Sequence, residues 1–204
     1  MPGMAGRRKA RRFAARAHGF SYIDLLLTLA MVVVLVAVAA PLTARSIDAS
    51  RARQAAGFIA ARLRLARQQA VFRTTSVGLV FDDAGGRWLF EVCGDGNGNG
   101  LRRAEIAAAV DLCVDGPYDI AQLFPGAQVA VDGGIPGPEG DPASSDAVRF
   151  GRSNIASFSP AGSGSPGTVF IRSAAVQYAV RVAGATGRLR TLRYDPASRR
   201  WGPG

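Results

Sequence analysis

Residues 19–40 read G-F-S-Y-I-D-L-L-L-T-L-A-M-V-V-V-L-V-A-V-A-A, and the N-terminal part of the fold turns on them. A helix that crosses a bilayer needs about 20 apolar residues, and this run supplies them. Asp24 is the one charge inside it, and a lone acid in such a segment is costly unless it has a partner. A cut between Gly19 and Phe20 would create one, a cationic amino terminus four residues away. Upstream lie Arg7, Arg8, Lys9, Arg11, Arg12 and Arg16 with no acid. Basic residues beside an apolar span hold that flank in the cytoplasm, so everything after about residue 43 is expected outside it.

The charge balance changes with that reading. Six of the 25 basic residues and none of the 15 acids lie in residues 1–19, so the formal charge of +10 drops to +4 without them. The basic character is therefore a weak argument for nucleic-acid binding by itself. Cys93 and Cys113 are the only cysteines, and outside the cytoplasm they are expected to pair. Enzymatic chemistry finds little support. The one histidine, His18, and the one lysine, Lys9, both lie within residues 1–19, so a cut after Gly19 would leave no serine an imidazole base.

Moving outward, residues 20–75 read as one long helix, membrane-spanning over about 20–42 and interrupted by Pro41, where a kink is expected. Beyond the proline, Ile59, Leu63, Ala66 and Ala70 recur at spacings of four, three and four, which is one helical face. Arg51, Arg53, Arg62, Arg64, Arg67 and Arg73 lie largely off it. From residue 76 the period becomes strand-like. Ser76–Phe81 and Arg87–Val92 flank the turn-forming Asp82-Asp83-Ala84-Gly85-Gly86. Further strands are expected at 127–131, 147–150, 168–172, 176–182 and 188–194. Residues 132–145 read as a surface loop and 195–204 as a frayed end. The result is an α+β chain: a long N-terminal helix packed on antiparallel sheet, with residues 76–204 as one β-rich domain.

The N-terminal stretch resembles the processing signal of the type IV pilin and pseudopilin superfamily. V-x-L-x-F followed by a tryptophan strand, then F-S-P-A-G at 158–162, Gly167-Thr168, and T-G-R-L-R at 186–190 resemble the GspH/FimT group of minor pilins and pseudopilins. The likeness spans most of residues 19–193. It implies that residues 1–19 are a leader removed by a prepilin peptidase, which also methylates the Phe20 amine. It implies an inner-membrane protein that joins other pilins or pseudopilins in a type IV pilus or type II secretion pseudopilus. Asp24 stands where that family has glutamate, and it would pair with the amine of Phe20 in its own or a neighbouring subunit. Such a pair contributes about 1 kcal/mol in water and several times that in apolar surroundings, offset by desolvation.

Three alternatives stay open. Basic residues, an apolar run from Leu25 to Val36 and Ala37-Val38-Ala39 also make an ordinary secretory signal, which would release a periplasmic ligand-binding domain starting near Ala40. Asp95, Asn97, Asn99 and Gly100 match the first half of an EF-hand calcium loop, but the twelfth position is Ile106 and the nearest acid is Glu105. A Gly/Asn turn closed by a disulfide is the plainer reading, with no cofactor. Arg188, Arg190 and Arg193 form a basic C-terminal cluster, and some FimT-like members take part in DNA uptake during transformation. The plainer reading there is an edge strand with outward arginines.

Overall fold

The computed structural model describes residues 21–204. They fall into two units, divided after Pro41. Helix α1 (Tyr22–Arg73) contributes to both. Up to Pro41 its side chains are exposed along the whole run. Among the described residues it is the one helix long and apolar enough to cross a membrane.

From Leu42 onward α1 belongs to the second unit and is rich in alanine and arginine, both strong helix formers. Its buried face is Ala52, Ala55, Ala56, Ile59, Ala60, Leu63, Ala66 and Ala70. Steps of three and four keep these on one stripe. The helix stops at Thr74, whose φ of +56° breaks the helical path.

Two antiparallel sheets follow. Their strands are β1 (Val77–Asp83), β2 (Trp88–Gly94), β3 (Leu112–Asp119), β4 (Ala127–Val129), β5 (Val148–Arg149), β6 (Ile155–Phe158), β7 (Gly167–Ser173), β8 (Gln177–Ala183), β9 (Arg188–Asp195) and β10 (Arg200–Pro203). One sheet runs β3-β2-β1-β6, the other β10-β9-β8-β7-β4, with β5 also on β7. Two short helices, α2 (Arg103–Ala107) and α3 (Ile120–Leu123), flank β3. Gly85 and Gly86, both at positive φ, make the tight link between β1 and β2.

The α1 stripe, Leu79, Phe81 and Phe90 of the first sheet, and Val169, Ile171, Val180 and Val182 of the second form one apolar core. Each sheet also has an outer face. On the first, Val80, Cys93 and Ile155 are covered by Leu101 and Ile106 of the 95–111 loop. On the second, Phe170 and Trp201 meet beneath the 130–147 segment. Trp201 Nε1 donates to Pro136 O (2.8 Å) and Gln177 Nε2 to Ala130 O (3.0 Å). Ion pairs Arg172–Asp132 (2.6 Å) and Arg181–Glu139 fasten the segment further.

All seven expected strands are present, and three more join them. One is a correction. Residues 195–204 are not frayed: β10 pairs with β9, and its Trp201 ring lies against Tyr194 and Phe170.

Candidate assembly interface

Gly19 and Phe20 lie outside the described residues. Asp24 sits in the first turn of α1, where its Oδ2 accepts the Ser21 N–H (3.3 Å). Ser21 Oγ in turn accepts from Ile23 N (3.4 Å). This is a capping-box arrangement, and a carboxylate there also suits the positive end of the helix dipole. Asp24 therefore has a local partner within its own helix. Beyond it Leu25 through Val38 present an apolar surface, with Leu35 at 68% exposure. Pro41 lies inside α1 and removes one helical N–H donor.

Cys93 and Cys113 form a disulfide between directly paired residues of β2 and β3, closing the 94–112 loop. Inside it, Asp95 Oδ1 accepts from Asn97 N (3.1 Å) and Gly98 N (2.7 Å), and Oδ2 from Gly100 N (2.7 Å). Asp111, almost fully buried, accepts from Gly96 N and Arg102 N at 3.0 Å each. Asn99 Nδ2 donates to Glu105 Oε1 (2.8 Å), and Glu105 Oε2 is buried with no hydrogen-bond partner among the described residues. The calcium-like spacing thus folds as a turn in which backbone amides serve the carboxylates. Burial pushes the Asp95 pKa up, but the N–H groups of Gly100, Gly98, Asn97 and Asn99 outweigh it, and the net shift is downward. A depressed carboxylate stabilises the fold fully above the ordinary value of 3.8 and loses that contribution as pH falls through the lowered one. The Asp95 carboxyl carbon, followed by NMR, should titrate below 3.8, with the Gly100 amide reporting the same midpoint. A midpoint at or above 3.8 would contradict this geometry.

Two of the motifs that carry the resemblance meet on α1. Arg67 Nε donates to Gly162 O (2.9 Å), at the end of F-S-P-A-G. Gly187 of T-G-R-L-R has φ +57° and packs against Gly162 O and the Arg67 side chain. Beside this junction a groove of about 600 Å³ opens, lined by Arg64, Arg67, Val71, Phe72, Arg188 and Leu189 among others.

The sheet divides the C-terminal arginines. Arg190 lies opposite Arg181 of β8 and Arg188 opposite Ala183, so these share the outer face. Arg193 lies opposite Tyr178, three residues on from Arg190, and therefore on the other face. It lines a cleft with Arg45 and Asp48. The three do not form one patch.

Two roles were not anticipated. Ser21-x-x-Asp24 has the spacing of a cap, a signal overshadowed by the apolar run. Arg62 clamps α1 to β3: it donates to Asp115 Oδ2 (2.5 Å) and Tyr118 Oη (2.6 Å) and lies over the Tyr118 and Phe58 rings. Asp115 sits in β3, 53 residues from Arg62 in sequence, so nothing local could link the two.

No curated protein and no solved structure gave a significant match to the chain. One family model does match, that of Type II transport protein GspH, over residues 55–187. That region holds the α1 stripe from Ala55 onward, both sheets from β1 to β8 and the Arg67–Gly162–Gly187 junction. With well over half of its length matched, the chain belongs to the GspH family of type II secretion pseudopilins.

Proposed function

We propose that this chain is a minor pseudopilin whose apolar helix is both its membrane anchor and its assembly element. A prepilin peptidase cuts between Gly19 and Phe20 and methylates the new amine. The mature chain waits in the inner membrane, with residues 42–204 outside the cytoplasm, and is then drawn into a short filament. The observation that carries this is the exposed apolar surface of Tyr22–Pro41, in a family of filament subunits. A surface of that kind must be covered by lipid or by neighbouring helices. Expressed with the pseudopilin set of its host, the chain should appear in the sheared-fibre fraction and cross-link through residues 25–38. Recovery only as a soluble periplasmic protein would contradict the proposal.

A second reading, a DNA-binding minor pilin of a type IV pilus, draws on Arg181, Arg188 and Arg190 sharing one face. Arginine–phosphate contacts give binding that weakens steeply with salt. Arg193 has no part in it, because it lies on the opposite face. A divalent cation at the 95–105 loop would use the lone pairs that the amide donors leave on the Asp95 carboxylate, with Glu105 Oε2, which has no hydrogen-bond partner among the described residues, as a candidate further oxygen.

A further inference from the structure

The last turn of α1 carries a feature that lies outside its apolar Tyr22–Pro41 stretch. Phe72 is 89% exposed, the most exposed large apolar side chain of the described residues, and Val71 beside it is 50% exposed. Both line the 600 Å³ groove between α1 and the β8–β9 turn. Its wall is mostly apolar. Its cationic lining residues are Arg64 and Arg67 on α1 and Arg188 at the first position of β9, and among the described residues no acid lines it. Arg67 is fixed by its bond to Gly162 O, whereas Arg64 and Arg188 are exposed and have no ion-pair partner among the described residues.

An exposed aromatic at an apolar groove rimmed by one sign of charge marks an interaction surface. The charge selects the class of occupant, and the apolar wall narrows it. A nucleic-acid backbone would satisfy the arginines but leave Val71, Leu189 and most of the wall facing sugar and phosphate. A polypeptide satisfies both. We infer that this groove docks an extended acidic segment of a partner protein that inserts one large apolar side chain against Phe72 and Val71. The aromatic anchor would supply most of the affinity, and the arginine rim would supply partner choice and speed of encounter. This goes beyond the anchoring and assembly role, because every residue involved lies in the second unit.

The test selects random heptapeptides on display against the full chain in nanodiscs. The expected consensus is net acidic with one Phe, Leu, Ile or Trp. A synthetic peptide of that consensus should lose at least fivefold in affinity with Phe72→Ser, and likewise with Arg64→Gln. Both side chains are exposed, so the two variants should keep the parent circular-dichroism spectrum. Selection of peptides without an acidic and apolar pattern, no selection at all, or affinity unchanged in both variants would each overturn the inference. So would a 20-nucleotide oligo-dT that binds independently of Phe72 while no peptide is enriched. Cleaved and uncleaved chains should bind alike, so a failure here is distinct from a failure of N-terminal processing.

Discussion

Gly187→Val should be among the most damaging single changes in the β-rich domain, lowering the melting temperature by about 6–12 °C. Two costs combine. The φ of +57° is one that β-branched side chains rarely adopt, and holding one there costs about 1–3 kcal/mol. A Cβ would also press on Gly162 O and on the Arg67 side chain that donates to it. Overpacking of this kind costs about 1–3 kcal/mol more and loosens a bond between α1 and the sheet. Gly85 separates the two costs: it too has a positive φ, +72°, but a Cβ there would meet nothing within 4 Å. Gly85→Ala should therefore show the backbone cost alone, about 1 kcal/mol. Equal melting temperatures for the two variants would mean that the Arg67–Gly162–Gly187 junction is not under steric constraint.

Asp24→Ala should reduce incorporation into fibres at least tenfold while leaving the protein in the membrane at normal level. Removing one member of a desolvated ion pair leaves the other charge uncompensated, at about 3–5 kcal/mol. Asp24 has two chemically separable jobs. It accepts the Ser21 N–H at the start of α1, and we propose that it neutralises the Phe20 amine. Asparagine keeps the capping acceptor and loses the charge. Fibre incorporation of Asp24→Asn should fall as far as that of the alanine variant, and Asp24→Glu should retain it. If Asn restores assembly, the cap is what matters and the ion pair is not needed.

How much of this could be read from the chain depended on how local the cause was. The α1 stripe was legible at Ile59, Leu63, Ala66 and Ala70, yet it extends back to Ala52. Alanines in an Arg/Ala-rich run give too weak an apolar contrast to mark a face. β3 escaped notice because L-C-V-D-G-P-Y-D breaks strand patterning with Gly116-Pro117, which an edge strand tolerates. β10 was hidden by its composition, since R-W-G-P reads as a tail until Trp201 reaches Pro136. Gly162 and Gly187 were recognisable as family markers only. Their reason, a shared contact on Arg67, joins three distant parts of the chain. The arginine cluster was misleading in sequence, because strand alternation sends Arg193 to the opposite face from Arg188 and Arg190.

Mass spectrometry of the N-terminal peptide, from protein purified out of native membranes, tests the account most directly. A mature chain that begins at Phe20 with a methylated amine is the predicted result. A chain beginning near Ala40, or one that retains residues 1–19 in the assembled fibre, would contradict it.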